Sequence, residues 1–293
     1  MIYDCFLFNN ELDILDIRLH ELADVVDKFV ITESTVTHTN KPKNLHYYEN
    51  RKRYKKFAHK IIHNVITDTP DVSLPWIIND FQFSQMEKGL INCTSDDIIL
   101  FGDADEIPKA EKILEWKDKE GKHKIFEQWL CYYFFNYASK KPYDWLGTHM
   151  LRYKELKEYK SMWIAKYSKP DTHIPHGGWH LSYMGGVRWI QEKISMQTHQ
   201  EYNNERFNTT EKILLGIKTG QDLNGSDSKF GVRNIEFLPG YIKDNRKKFS
   251  KFLIKKEFSK IDVALSIMQL NLLHKARVLY RKARRKTFNK NAK

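Results

Sequence analysis

Two aspartates, Asp103 and Asp105, are the residues of this chain that most directly suggest chemistry. They follow Gly102 and four consecutive apolar residues, 98–101, a run that predicts a buried strand. On an extended chain, residues i and i+2 point to the same side, so the two carboxylates can share one hard divalent cation and a diphosphate. The alternative interpretation is a solvated turn, which is the common setting of an Asp-x-Asp tripeptide.

The residues after this pair predict how the turn ends. On an extended chain Glu106 would face away from both aspartates, and it could cap the helix that follows. Pro108 suits the first turn of that helix, where a missing N–H costs nothing. Open α/β sheets bind ligands beyond the carboxyl ends of their strands, so we expect Asp103 and Asp105 at a strand end and outside the core.

Three histidines, His173, His176 and His180, lie at spacings of three and four residues. Such spacing would make a metal-binding face on a helix, but Pro175 and the two glycines after His176 argue against a helix. We therefore expect a loop that brings His180 to a metal held by the aspartates. The alternative is that His180 makes ordinary loop hydrogen bonds.

Residues suited to proton transfer and to sugar contact lie around and beyond these histidines. The candidate general bases are Glu192, Glu201 and Asp222, because deprotonating a hydroxyl needs a basic side chain nearby. The aromatic candidates for stacking on a sugar ring are Trp145, Trp179, Tyr183 and Trp189. Large aromatic side chains more often belong to the core, and the residues alone do not rank the bases.

Strands and helices alternate along the first hundred residues. Apolar runs predict strands at 2–8, 28–32, 60–66 and 97–101, and helical spacing predicts helices at 11–23 and 79–92. This alternation is typical of an α/β fold with a mostly parallel central sheet. Further on, we predict a strand at 125–136 and helices at 211–218, 241–252 and 261–285. We divide the chain into one domain, 1–250, and a basic helical C-terminal extension, 251–293.

The composition is that of a protein with a full core. Of the 293 residues, 41% are hydrophobic, which suits one large domain. The three cysteines, Cys5, Cys93 and Cys131, are far apart, which argues against a disulfide framework and against a Cys-x-x-Cys zinc site. We find no signal-peptide pattern and no stretch apolar enough to span a membrane, so a cytoplasmic location is expected.

Positive charge is concentrated at the C-terminus. The net charge is +12, and residues 274–293 carry nine Lys or Arg and no acid, while residues 1–242 are close to neutral. Such a tail could make peripheral contact with anionic surfaces, or it could be a solvated helix end. A near-neutral body argues against a nucleic-acid groove, and we expect no specific nucleic-acid partner.

Several segments taken together resemble the family 17 glycosyltransferases. They are YDCFLFNNELDILDIRLHEL, DKFVITES, KPKNLHY, DDIILFGDADEIP, GGWHLSYMGG, HQEYN and GQDLNG. The segments run in the family's order across roughly residues 2–250, and the combination of GDADEIP with GGWH is the specific part.

This resemblance implies a GT-A-like nucleotide-binding fold, a divalent metal (Mn²⁺ or Mg²⁺), a UDP-sugar donor and a glycan acceptor. The donor would be UDP-N-acetylglucosamine, transferred with inversion to a β-linkage. The resemblance carries metal and diphosphate binding to Asp103 and Asp105, and a functional role to His180. It ranks Glu201 first and Asp222 second as the catalytic base.

Further contacts are expected around the donor and the acceptor. Asn10 and Glu33 are candidates for donor binding. By fold-level analogy, Glu33 at the end of the second strand could hydrogen-bond the uridine ribose or base. Trp179, Trp145 and Tyr183 are the candidates for acceptor binding.

Two other functions compete with this interpretation. A metal-dependent phosphoryl-transfer enzyme could use the same Asp-x-Asp, although phosphatases with such a motif place it near the N-terminus, followed by a small hydroxyl residue. A non-catalytic binder of anionic surfaces would depend on the basic tail alone.

Overall fold

A computed structural model describes residues 1–269 and residue 272 of the chain. Its strands are β1 (Ile2–Leu7), β2 (Lys28–Ser34), β3 (Ile61–Ile66), β4 (Ile98–Asp103), β5 (Glu106–Pro108), β6 (Lys124–Tyr132), β7 (Tyr137–Ser139), β8 (Trp145–Arg152), β9 (Thr172–Ser182) and β10 (Phe230–Val232). Its α-helices are α1 (Leu12–Leu22), α2 (His46–Asn50), α3 (Pro75–Ser84), α4 (Ala110–Trp116), α5 (Tyr153–Leu156), α6 (Met162–Tyr167), α7 (Val187–Met196), α8 (Thr210–Thr219) and α9 (Gly240–Asp244). Among the described residues there are also five short 3-10 helices: Arg51–Phe57, Gln85–Gly89, Gln200–Tyr202, Ile235–Phe237 and Ser250–Phe252.

The ten strands of the described residues form one sheet, with the order β10-β7-β6-β8-β4-β1-β2-β3 and with β9 paired to both β6 and β5. The half made of β4, β1, β2 and β3 is entirely parallel. β8 enters antiparallel between β4 and β6, and β9 then runs parallel to β6 over most of its length. As a result β1, β2, β4, β6 and β9 all end at the same edge of the sheet.

The central strands are buried on both faces, which is why their sequences are apolar runs and not alternating ones. Residues 2–6 of β1 and 98–102 of β4 are all buried. α1 covers one face with Leu15, Leu19 and Leu22, spaced as one side of a helix. This apolar centre therefore fixes the positions of the strand ends, which form the edge of the sheet.

The predicted α/β fold with a mostly parallel sheet is confirmed, with local differences. The helix predicted at 79–92 begins earlier, at Pro75, because proline suits the first helical position, and gives way to a 3-10 helix at Gln85. The helix predicted at 241–252 is divided into α9 and the 3-10 helix Ser250–Phe252. Pro108 does not begin a helix, since it ends β5, which pairs with β9.

The segment around residue 250 packs on the sheet domain. Phe249 and Phe252 are buried in a core cluster with Trp129 and Phe135. A helix then occupies 260–269, and the basic tail, 274–293, lies outside the described residues. The division at residue 250 stays a prediction. Within the described part of the chain, no helix is long and apolar enough to cross a membrane.

Candidate active site

A cavity of about 680 Å³ lies at the edge where the parallel strands end. Residues from the carboxyl ends of β1, β2, β4, β6 and β9 line it, together with the first residues of β8. Side walls come from α3, α6, α7 and the segment that follows α7. This is where open α/β sheets bind ligands, because the strand ends leave a crevice there.

Asp103 and Asp105 both line the cavity, but their surroundings differ. The side chain of Asp103 is 48% exposed, and its Oδ1 lies 3.0 Å from Nζ of Lys166 on α6. The side chain of Asp105 is only 6% exposed, so the expectation that it lies outside the core is wrong. Its Oδ2 accepts a hydrogen bond of 2.6 Å from Nζ of Lys193 on α7, and its Oδ1 lies 3.4 Å from Nε2 of His180. Burial raises the pKa of Asp105, but the attraction of Lys193 and His180 outweighs this and holds it well below its usual value.

The turn that carries both aspartates is held from behind by a buried arginine. Nη1 of Arg18 on α1 donates to the carbonyl oxygens of Asp103, Ala104 and Glu106, at 2.9, 3.2 and 2.8 Å. The same guanidinium makes a two-pronged ion pair with Asp4 in β1, and neither side chain is exposed. Such bidentate pairing fixes orientation as well as charge, so the turn has a defined shape without any ligand.

Glu106 does not cap a helix, contrary to the prediction, because β5 begins at this residue. Its carboxylate turns back under the turn, accepting from the backbone N–H of Asp103 at 2.9 Å and from Nε1 of Trp145 at 2.8 Å. Burial, followed by repulsion from Asp103, raises the pKa of Glu106. Gly102, which precedes Asp103, leaves room for this carboxylate, since a Cβ at residue 102 would lie 2.6 Å from the Glu106 carboxylate oxygen.

The three-histidine segment is a strand and not the predicted loop. β9 pairs antiparallel with β5 and parallel with β6, and an irregularity in the β6 pairing accommodates its glycines. Gly178 allows the close approach of β5, because a Cβ there would lie 2.2 Å from the carbonyl oxygen of Ile107. His173 and His176 are exposed and lie outside the cavity lining, so only His180 of the three reaches the site.

Strand alternation separates the neighbours Trp179 and His180. His180 and Ser182 line the cavity. Trp179 is buried in the core on the other face, where its Nε1 donates to the carbonyl oxygen of Phe237 at 2.6 Å. The structure therefore does not bring Trp179 to an acceptor position.

Of the other aromatic candidates, some line the cavity and one does not. Trp145 lines the cavity, with its ring 4.3 Å from that of His180. Tyr183 lines it as well but is buried, with its hydroxyl 3.2 Å from Oδ1 of Asn224. Trp189 is half exposed on α7 and is not part of the lining. Two aromatic residues that the sequence did not single out, Trp76 and Tyr167, line the cavity and are 41% and 60% exposed.

The predicted metal ligands do not form a ready-made set. Within residues 1–269, no group of three His, Cys, Asp or Glu side chains is arranged to hold a metal ion. Asp105 and His180 adjoin each other, and Nδ1 of His180 is buried without a hydrogen-bond partner. Both aspartates, however, already have a lysine ammonium group in the place where a cation would bind. The residue types suit a divalent ion, but the arrangement as it stands does not.

The candidate bases lie outside the cavity lining. Asp222 closes a turn by accepting from the backbone N–H of Asn224 at 3.0 Å. Glu201 is more than half exposed on the 3-10 helix Gln200–Tyr202, and its Oε1 lies 2.6 Å from Nδ1 of His199, which does line the cavity. Slight burial raises the pKa of Glu201, but the His199 hydrogen bond outweighs this and lowers it. Glu192 contacts Asn10, from which it accepts a hydrogen bond of 3.4 Å.

The two candidate donor contacts, Asn10 and Glu33, are also absent from the lining. Glu33 is fully buried and faces α2, where it accepts from the backbone N–H of Tyr47 at 2.9 Å. Its Oε2 lies 2.9 Å from Nε2 of His63. Its neighbours Thr32 and Ser34 line the cavity instead, as the alternation of a strand requires.

Comparisons with known proteins agree with this architecture. The family model described as "Glycosyltransferase family 17" matches residues 1–227. Curated proteins named β-1,4-mannosyl-glycoprotein 4-β-N-acetylglucosaminyltransferase, from Homo sapiens and Rattus norvegicus, are each 33% identical over 121 residues. These matches cover 39% of this chain but only 23% and 22% of the relatives, so the chain matches less than a quarter of their length.

One solved structure, 2-C-methyl-D-erythritol 4-phosphate cytidylyltransferase from Francisella tularensis, aligns with 59% of this chain and 89% of its own. Its identity is 12% and its TM-score 0.33, too low a likeness to carry an argument. The family match is much stronger than this structural match, since it spans most of the chain and includes the Asp-x-Asp turn and β9. It favours the glycosyltransferase interpretation over the phosphoryl-transfer and non-catalytic alternatives. The chain belongs to glycosyltransferase family 17.

Proposed function

We propose that this protein transfers N-acetylglucosamine from UDP-N-acetylglucosamine to a hydroxyl group of a glycan, with inversion to a β-linkage. Family membership over residues 1–227 and the names of the curated relatives support the donor sugar. The structural observation that carries the proposal is the cavity at the carboxyl edge of the sheet, into which the half-exposed Asp103 opens.

The cavity has the size and lining that a nucleotide sugar needs. Its volume of about 680 Å³ lies within the usual range of ligand sites. Thr32, Ser34 and Thr37 provide polar groups at the ends of β2 and beyond, suited to a ribose or a base. In this proposal the diphosphate lies beside Asp103 and Asp105, and the sugar points towards Trp145.

A divalent cation, Mn²⁺ or Mg²⁺, is proposed as a cofactor at Asp103, the more accessible of the two carboxylates. To accept it, Asp103 would have to give up its ion pair with Lys166. If bound, such a cation would neutralise charge on the leaving diphosphate. None of the steps proposed for the residues of this chain requires it.

The proton of the acceptor hydroxyl is taken by His199, oriented by Glu201. A carboxylate with a lowered pKa is itself a poor proton acceptor, whereas a histidine held by a carboxylate is well suited to that task. As the acceptor oxygen bonds to the anomeric carbon, its proton passes to His199. The diphosphate leaves with the electron pair of the broken bond. The predicted role of Glu201 thus becomes indirect, through a residue that faces the cavity.

The acceptor is proposed to lie against Trp76 and Tyr167. Both side chains are substantially exposed at the cavity, and Trp76 packs edge-on against His199, with ring centroids 4.8 Å apart. A sugar stacked there would present a hydroxyl close to the proposed base. Trp145 is the third acceptor contact, nearer to the aspartates.

A donor panel tests the proposal. UDP-N-acetylglucosamine, UDP-glucose, UDP-galactose and GDP-mannose are each incubated with the protein and a glycan mixture, with Mn²⁺ or with EDTA. We expect consumption of UDP-N-acetylglucosamine above the others and a β-linked product by NMR, with Asp103→Ala as the inactive control. An α-linked product would contradict inversion, and consumption of none of the four would contradict the function.

A further inference from the structure

Two lysines on different helices reach the same cavity and end on the two aspartates. Nζ of Lys166 lies 3.0 Å from Asp103, and Nζ of Lys193 lies 2.6 Å from Asp105. Their side chains are only 15% and 26% exposed, so each ammonium group is largely removed from water. A charge in such surroundings interacts more strongly with a nearby anion than it would on an open surface.

The charges around the cavity do not favour a diphosphate as they stand. Besides these two ion pairs, the lining holds Lys43, Glu11 and Glu106. With these side chains ionised and the histidines of the lining neutral, three lysines face four carboxylates, which leaves one net negative charge. A nucleoside diphosphate needs cations of its own, either brought with it or released from the aspartates.

Lysine is suited to such release. Its ammonium is a compact charge on a flexible four-carbon stem, and it can move from a carboxylate to a phosphate oxygen without a change in the backbone. The pair between Lys166 and Asp103 is the easier one to open, because Asp103 is half exposed and can be solvated when its partner leaves.

We propose that Lys166 and Lys193 are diphosphate-binding residues, which neutralise Asp103 and Asp105 in the empty cavity and turn to the donor's phosphate oxygens when it binds. This inference rests on the proposed nucleotide-sugar donor. During transfer the bond between the anomeric carbon and the phosphate oxygen breaks, and the ammonium groups stabilise the negative charge that the diphosphate carries away. The two ammonium groups therefore allow the cavity to hold a nucleoside diphosphate even when the divalent cation proposed at Asp103 is absent.

Calorimetry with UDP, and with uridine as the matched ligand without phosphates, tests this in the presence of EDTA. The full chain should bind UDP without metal. Lys166→Met should weaken UDP by about 10–100-fold, the worth of one charge-assisted hydrogen bond, and leave uridine unchanged. Lys193→Met should do the same. Lys193→Met also leaves Asp105 buried without its lysine, so a second variant, Lys193→Arg, keeps the positive charge at this position. Lys193→Arg should bind UDP within a few-fold of the parent.

Two exposed basic residues provide the controls. Arg188→Met on α7 and Lys169→Met just after α6 each remove one positive charge that does not line the cavity, and should leave UDP binding unchanged. Loss of all UDP binding in EDTA would overturn the inference, as would parent-like UDP binding by Lys166→Met. Either result leaves the proposed donor in place, whereas a parent protein that binds no UDP even with Mn²⁺ overturns both.

Discussion

The polar groups of the cavity fall into an exposed set, Asp103, His199 and Glu201, and a buried set, Asp105, His180 and Lys193. In the exposed set each side chain is about half accessible to water. In the buried set the side chains of Asp105 and His180 are less than a tenth exposed. Solvent can replace a lost partner in the first set but not in the second. The comparison teaches that the exposed groups can exchange partners with water, whereas a buried group such as Lys193 can leave Asp105 only when a bound donor supplies the replacement.

The largest expected effect comes from replacing His199, the proposed proton acceptor, in the exposed set. His199→Gln should lower transfer by about 10²–10⁴-fold, because the acceptor hydroxyl loses its proton acceptor. Glu201→Gln should lower it less, since it only orients His199. UDP binding and the free energy of unfolding should barely change in either variant. Steady-state assays with calorimetry of UDP check this, with Asp222→Asn as the control. Loss of transfer in Asp222→Asn and full activity in His199→Gln would reverse the assignment.

The next effect is on stability and should be confined to the buried set. Asp105→Ala leaves the ammonium of Lys193 buried without its main partner, which should lower the free energy of unfolding by about 3–5 kcal/mol. Glu201→Ala should cost less than about 1 kcal/mol, because its partner His199 is half exposed and water can replace the lost carboxylate. Urea denaturation measures both. The double variant Asp105→Leu with Lys193→Met should regain most of the loss, and equal costs for the two single variants would remove the distinction between the sets.

The smallest effect tests whether the buried set also serves a metal. If Mn²⁺ binds with UDP, His180→Ala should weaken it by roughly 10–100-fold, the usual cost when a metal site loses a supporting residue. Mn²⁺ titration followed by electron paramagnetic resonance gives the affinity directly. His173→Ala is the matched control, because this histidine lies on the same strand and contacts Glu127 away from the cavity. Equal Mn²⁺ affinity in both variants would limit His180 to its contacts with Asp105 and Trp145.

The sequence predicted the strands well because burial on both faces leaves an unbroken apolar run, as in 98–101. It also predicted which edge carries the aspartates, since the ends of parallel strands meet. It failed at β9, where Pro175 and two glycines suggested a loop, although glycine there serves the close approach of β5. That error hid the alternation that sends Trp179 to the core and His180 to the cavity.

The lysines of the site could not have been found from sequence. Lys166 and Lys193 lie on short helices without a recognisable motif, in a chain with 49 Lys and Arg residues. Only their tertiary contacts, with aspartates 63 and 88 positions away in the sequence, identify them as residues of the site. His199 was part of a noticed polar run, but only its place in the cavity lining separates it from Glu201 beside it.

The arginine behind the Asp-x-Asp turn bears on what counts as the smallest functional piece of this protein. Three carbonyl oxygens of the turn depend on Arg18, which lies more than eighty residues earlier in the chain. A fragment starting after α1 would keep both aspartates, yet those oxygens would crowd together with no donor between them. The motif is thus not a portable module, because its geometry is inherited from the first strand and helix. Grafting the turn onto another sheet would require that arginine and its partner Asp4 to travel with it.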